Sequence, residues 1–565
     1  MSETLRPHGV PPFNDYPTVS ELHFRARAFA SRHPARTGVR RVGTSRAGEE
    51  LLLLSVGTPD TAPDTRHGPG VRARPDGHRD VLVVAGPHAN ERVGGATALR
   101  LAEHVVGERP LRGDGSHDVR WHFLLCLDPD GARVNEHGAT GTDSATVAGT
   151  SRNTLLGYHR PFFRPPGKEQ PEWAPSLTGN DGELLPESRA LLTVIDEIRP
   201  FLQCSLHAND VGGSWVQLTR AVPGLPEPFA KSAADLGIPV EIGSIDTLYW
   251  PSPGPGVFVM PEPGVPERLA SLQEDAARST WYHPHRYGGM TAVVEAPMWA
   301  SRLVDDCTPV PDPGPAVRGA ALRLRRRGRR VAALLDRARP LVPVEHAPVL
   351  RGAEAAVEVC PGLADDWTRL SRAQAQARVP GPDAARVPAP GWAGLGAGAT
   401  VVGGAAGGGR RPGAYGETGR GGTAYGDVAG GVAARGTRTA PGPRPYAGPG
   451  GAGARTGRGA DGADGAGTGA GVPAPPALTA GHLASFAGVT WRIPLRAAAM
   501  LLGALDGVPG RAAGELRAEL AGIVSAWCAA FECEFQTRWV PLDDQVRHQA
   551  RTVLAVLDRV GHGRA

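Results

Sequence analysis

The sequence has almost no lysine: Lys168 and Lys231 stand alone among its many arginines. With 77 glycines and 54 prolines, that bias marks a GC-rich genome and carries no function by itself. Cysteine pairs are missing too. The six cysteines are scattered, none in a Cys-x-x-Cys unit, so no disulfide framework is implied. Cys126 and Cys204 fall in apolar runs, where a thiol behaves as a small apolar group. No apolar run reaches about 18 residues, so no membrane span is expected. Residues 1–17 hold no apolar core of a secretory signal, and a cytoplasmic protein is the expectation. Net charge is only +4 and points to no polyanionic partner. What is present is a hydrophobic fraction of 41% over 565 residues, enough for a buried core and two to four domains.

Residues 16–310 read as alternating strands and helices. Thr18 and Glu21 have capping-box spacing at the start of a helix that runs through Ala30. Residues 39–42 and 50–56 read as a hairpin. The run 81–85 is short and continuously apolar, the pattern of a strand covered on both faces. A helix follows at about 94–106. The next strand, 121–127, is stopped by a turn at Asp128-Pro129-Asp130-Gly131. Residues 186–198 form a helix with proline at its start, and strands 201–206 and 291–295 complete the set. The fold class is α/β, a mixed, mostly parallel sheet flanked by helices. A C-terminal helical domain interrupted by a disordered Gly/Ala-rich insertion is added to it. The boundaries are 15–310 for the α/β domain, 311–378 for a helical segment, 379–477 for the insertion and 478–560 for the helical segment that completes the C-terminal domain. The insertion has too few large apolar residues to offset the cost of ordering its backbone. Its Gly-x-Gly-x-x-Gly matches lack the flanking strand and helix of a dinucleotide site.

His88 and Glu91 follow the apolar run 81–86, and His207 ends the run 201–206. Two histidines and a glutamate are a ligand set of catalytic zinc, with one coordination position left for water. Open α/β sheets place their sites at the carboxyl ends of strands. Each part has a plainer reading: a solvated loop for the pair, and a satisfied strand-end histidine for His207. Glu295 ends the run 291–295. Partial desolvation there raises a carboxylate toward the working range of a general base, and pairing with an arginine is the alternative. His283 and His285 flank a proline in a loop and read as structural. The arginine run 323–330 lacks aromatic neighbours and leads into a helix with Val331, Leu334 and Leu335 facing inward. It reads as a solvated face, with no nucleic-acid partner.

Taken in order, the motifs resemble the zinc carboxypeptidases of the carboxypeptidase A/B type. They are Gly86-Pro87-His88-Ala89-Asn90-Glu91, Asp128-Pro129-Asp130-Gly131, Pro186-Glu187-Ser188-Arg189-Ala190, Ser205-Leu206-His207, the loop from Gly243 to Tyr249, and Val293-Val294-Glu295. The resemblance covers about residues 15–300. It implies that the α/β domain is a zinc carboxypeptidase-like catalytic domain in which His88, Glu91 and His207 bind one Zn2+. Glu295 would take a proton from the attacking water and pass it to the leaving amine. The family also uses one arginine for the oxyanion and another for the substrate's terminal carboxylate.

The family's Asn-Arg-Asn segment is not present as such. The candidates are Ser151-Arg152-Asn153 and the stretch Tyr158-His159-Arg160-Pro161-Phe162-Phe163. Order and spacing put Arg152 in the oxyanion role and Arg160 in the carboxylate role, with His159 where an asparagine is expected. Arg164 competes with Arg160, and Tyr249 would close over the substrate. The expectation is a zinc metallocarboxypeptidase that cleaves a C-terminal amide bond, acting on a peptide or amino-acid amide with a free carboxylate. A zinc amidohydrolase acting on acyl-amino acids or branched peptides is one alternative. An inactive peptide-binding scaffold is the other.

Overall fold

A computed structural model describes residues 15–57, 79–107, 119–137, 153–173, 184–261, 279–376 and 477–562. The strands are β1 (Thr37–Thr44), β2 (Glu50–Val56), β3 (Arg79–Ala85), β4 (Val119–Leu124), β5 (Leu202–Gly212), β6 (Trp215–Leu218), β7 (Val257–Val259), β8 (Met290–Ala300) and β9 (Arg538–Trp539). They form one sheet in the order β1-β2-β4-β3-β5-β8-β6-β7, with β9 paired to β8. Its centre, β4-β3-β5-β8, is parallel, while β1–β2, β2–β4, β6–β8 and β8–β9 are antiparallel.

The helices are α1 (Val19–Arg32), α2 (Val93–Gly107), α3 (Pro129–His137), α4 (Leu155–His159), α5 (Pro186–Ile198), α6 (Pro226–Asp235), α7 (Gly314–Ala338), α8 (Ala347–Gln376), α9 (Ala480–Ala504), α10 (Arg511–Phe535) and α11 (Leu542–His562). The continuous apolar run of β3 has a simple cause. Val81 and Val83 pack with α1, α2 and α11 on one face, and Leu82 and Val84 pack with α5 on the other. Each Å2 of apolar surface that this packing removes from water is worth about 25 cal/mol.

The capping box of α1 is formed, with Glu21 N–H donating to Thr18 Oγ1 and Thr18 N–H donating to Glu21 Oε2 at 2.7 Å. The turn expected at Asp128-Pro129-Asp130-Gly131 is instead the start of α3. Pro129 needs no N–H partner at a first helical position, and Asp128 Oδ1 accepts from Gly131 N at 3.0 Å as a cap would. Two more strands differ from expectation. The apolar pattern ends strands at His207 and Glu295, but β5 and β8 continue to Gly212 and Ala300, and all 11 residues of each are buried. The polar residues past His207 resemble a loop in sequence, but groups far along the chain satisfy them.

The segments after residue 311 join the sheet in one compact unit. Helices α7 to α10 pack on one another through two apolar clusters, one of them centred on Trp367 and Phe486 and the other on Leu495, Leu520 and Phe531. Val331, Leu334 and Leu335 of α7 are buried as expected. Arg327, within the arginine run, lies with its guanidinium carbon 3.2 Å from the Trp491 ring centroid. Helix α11 lies on the sheet itself, sharing a core with α2 through Val553, Val556 and Leu557. The expected insertion at 379–477 lies outside the described residues apart from its final residue. No helix among the described residues is long and apolar enough to cross a membrane.

Candidate metal centre

Glycine shapes the turn that follows β3. Gly86 has φ +56°, and a Cβ there would meet Cys126 Sγ at 3.1 Å. The chain turns back so that Glu91 N–H donates to His88 O at 3.1 Å, and α2 begins two residues later. Gly94 in its first turn lets that helix approach β5: a Cβ would lie 3.2 Å from Leu206. The His88–Glu91 turn is thus carried to His207 of the neighbouring strand, and β5–β8 pairing sets His207 in register with Glu295.

The four residues singled out from the sequence converge. Glu91 Oε1 is 3.0 Å from His88 Nδ1, and Glu91 Oε2 is 3.0 Å from His207 Nδ1. The two imidazoles meet edge to face with centroids 4.7 Å apart. Glu295 Oε1 is 3.9 Å from His207 Nδ1. All four are buried, Glu295 at 9% exposure being the most open.

A second carboxylate, one that no sequence motif marks, stands on the opposite nitrogens. Glu172 Oε2 is 3.6 Å from His88 Nε2 and 3.2 Å from His207 Nε2. Its other oxygen, Oε1, accepts from Trp281 Nε1 at 2.5 Å and from Ser205 Oγ at 2.8 Å. Ligand atoms of His88, Glu172 and His207 lie within 4.8 Å of one another, so this trio too could hold a metal. Nothing in the sequence singles Glu172 out, since Pro171-Glu172 is one of five Pro-Glu pairs.

The charge balance favours a cation. Three buried carboxylates, Glu91, Glu172 and Glu295, face two histidines and one guanidinium, that of Arg164. With neutral histidines the cluster carries two uncompensated negative charges, the charge a divalent ion neutralises. Without an ion the imidazoles take part of that role. Burial alone lowers His207, yet Glu172 and Glu91 hold it well above the usual histidine range. Burial raises Glu91, but His88, His207 and Arg164 together hold it well below the usual carboxylate range.

The arginines fall out differently from expectation. Arg164, the competitor, reaches the cluster: one guanidinium nitrogen is 2.7 Å from Glu91 Oε1 and the other 3.1 Å from His88 Nδ1. The Arg160 side chain is half-buried and has no hydrogen bond or ion pair among the described residues. Arg152 lies outside the described residues. His159, expected at the substrate, is completely buried; its Nδ1 is 2.8 Å from Leu155 O and its ring stacks on Phe162, so a substrate contact is closed to it. Burial pushes its pKa down to about 4. Tyr249, expected over the substrate, packs instead against the cluster of α7, α8 and α9. His283 and His285 bind Asp196 and Thr219, a structural arrangement.

Next to the site is a buried network that the sequence did not reveal. Asp210, three residues past His207, takes a two-pronged salt bridge from Arg496 of α9 at 2.8 and 2.7 Å. Tyr158 Oη donates to Asp210 at 2.9 Å and accepts from Asn90 Nδ2 at 3.0 Å. Asn90 lies between His88 and Glu91, so a C-terminal helix reaches the ligand-bearing turn through three side chains. No local pattern could have paired Asp210 with a residue 286 positions away.

Residues 25–215, about a third of the chain, match the zinc carboxypeptidase family. That range holds every residue of the cluster except Glu295, which β8 delivers. Among solved structures, a metallo-carboxypeptidase from Burkholderia cenocepacia is similar at 19% identity over 50% of this chain and 60% of that one, with a TM-score of 0.28. Carboxypeptidase A from Helicoverpa armigera is similar at 16% identity over 51% of this chain and 66% of that one, with a TM-score of 0.30. The chain therefore spans less than two thirds of the length of either. No curated protein matches it.

Proposed function

We propose that the zinc carboxypeptidase domain matched at residues 25–215, completed by β8, is a zinc-dependent hydrolase that cleaves an amide bond next to a free carboxylate. The observation that carries this reading is the convergence of His88 Nδ1 and His207 Nδ1 on Glu91, each at 3.0 Å, with Glu295 beside them. His88, Glu91 and His207 would hold the ion. Glu172 already accepts from Trp281 and Ser205 and faces the Nε2 atoms, the place of a carboxylate that orients ligating histidines from behind.

A zinc ion bound there supplies a Lewis acid for the scissile carbonyl and lowers the pKa of a water. Glu295 would take the proton of the attacking water and return it to the leaving nitrogen. Arg164, at the edge of the ligand set, would stabilise the oxyanion, the role that order and spacing give to Arg152. Arg160, a cation with no partner among the described residues, is suited to grip a substrate carboxylate in two-pronged fashion. A panel of peptides with free and amidated carboxyl termini tests this reading. The free forms should be cleaved and the amidated forms spared, and indifference to amidation would remove the carboxylate role of Arg160.

A further inference from the structure

Helix α11 packs against both strands that carry the site, and two adjacent residues of it are polar, fully buried and aimed at the sheet. Gln549 Nε2 donates to the carbonyl of His207 at 2.6 Å and approaches that of Val294, the neighbour of Glu295, at 3.5 Å. Its Oε1 accepts from Thr97 Oγ1 at 2.7 Å. Thr97 is in the second turn of α2, the helix that begins two residues after Glu91. One side-chain amide therefore ties β5 and β8, which carry His207 and Glu295, to α2, the helix that follows the His88–Glu91 turn. His548 works beside it. Ser214 Oγ donates to the Glu295 carbonyl at 2.7 Å and lies 2.6 Å from His548 Nε2. The single Ser214 proton is directed at that carbonyl, so His548 Nε2 is the donor to Ser214, and its Nδ1 accepts from Ser232 at 2.9 Å.

We propose that Gln549 is a positioning residue for the metal centre, fixing through backbone carbonyls the separation of the His88–Glu91 turn, His207 and Glu295. Packing alone does not require it. The core shared by α11, α2 and the sheet is apolar, and the polar partners of Gln549 in it are Thr97 and the carbonyls of His207 and Val294. A buried amide is costly unless all its groups are satisfied, and here each is satisfied by a group of β5, β8 or α2. Partners outside the ligand set typically change metal affinity by about 10- to 100-fold when removed.

The inference rests on the zinc reading above, and the experiment separates the two. Zinc affinity of the full chain is measured by chelator competition, and the visible spectrum is recorded after cobalt substitution. Gln549→Leu should bind zinc about 10- to 100-fold more weakly and shift the cobalt bands. Thr552→Ala, on the same helix and equally buried, loses only a bond to His548 O. It should lower the melting temperature while keeping zinc affinity within about twofold of wild type, the contrast an outer-shell role predicts. Wild-type affinity and spectrum in Gln549→Leu, or an equal loss of affinity in Thr552→Ala, would overturn the positioning role. Should Gln549→Leu fail to fold, Thr97→Val decides: it frees the amide to turn and should weaken zinc several-fold, and unchanged affinity overturns the proposal. A wild-type chain that binds no zinc at all sinks the zinc reading instead.

Discussion

The two ends of β3 each carry a buried histidine–carboxylate cluster, and they are built on opposite plans. At the amino end, Ser55 Oγ and His122 Nδ1 lie 2.8 Å apart, His122 Nε2 is 2.9 Å from Asp80 Oδ1, and Arg120 Nε is 3.0 Å from Asp80. One acid meets one guanidinium, and the imidazole has a partner on each nitrogen. At the carboxyl end, three acids face one guanidinium across two imidazoles. The first cluster is closed on itself, and the second is short of positive charge. A histidine beside a carboxylate is therefore not the sign of a metal site. The sign is a local charge deficit that protein groups leave unfilled.

The strongest test of that difference removes one histidine from each end. His207→Ala should strip the zinc and abolish hydrolysis while the chain stays folded. His122→Ala should keep its zinc and lose stability by about 1–3 kcal/mol, because Ser55 loses its buried partner while Asp80 keeps Arg120. Zinc content by elemental analysis and urea midpoints read the two outcomes, and the same response from both variants would erase the distinction. Glu295→Gln comes next. It should retain zinc and slow turnover by about 100- to 10,000-fold, the worth of a general base; turnover at the wild-type rate would remove Glu295 from the mechanism.

The two carboxylates on either side of the imidazoles give a finer comparison. Glu91→Gln should lose the ion, whereas Glu172→Gln should keep it with about 10- to 100-fold weaker affinity. If the losses are reversed, the ion sits on the Nε2 side and Glu172 is the ligand.

What was legible in the sequence depended on distance along the chain. His88 and Glu91 were readable because a turn fixes residues three apart. His207 and Glu295 were readable because each follows an apolar strand core. The sheet was readable because both faces of β3 are covered, which leaves a continuous apolar run. Glu172, Arg496 and Gln549 were not, because nothing local marks them. Glu172 is in an irregular segment, and the other two project from helices whose sequences look merely amphipathic. The lengths of β5 and β8 were missed for the same reason. Asn209 and Asp210 read as a loop until Gly213 O and Arg496 are known to satisfy them. Arg160 and Arg164 could be named as candidates, but spacing cannot say which of two guanidiniums four residues apart reaches Glu91.

Asp128 extends the comparison to a single acid. It is buried, accepts from Gly131 N with one oxygen, and has its nearest cation, Arg46, 3.9 Å away. Burial pushes its pKa up to about 7, against 3.8 ordinarily. Between those values the folded protein holds a proton that the unfolded chain releases. The contribution of Asp128 to stability should therefore be fully present below about pH 4, fall as the pH rises toward 7 and stay low above it. An asparagine at this position cannot ionise and can still cap α3 through its side-chain oxygen. The variant Asp128→Asn should match wild type in urea midpoint near pH 4 and exceed it near pH 8, by on the order of 2–4 kcal/mol at most. Parallel pH profiles for the two proteins would mean that Asp128 is ionised in the fold, and that Arg46 compensates it as completely as Arg120 does Asp80.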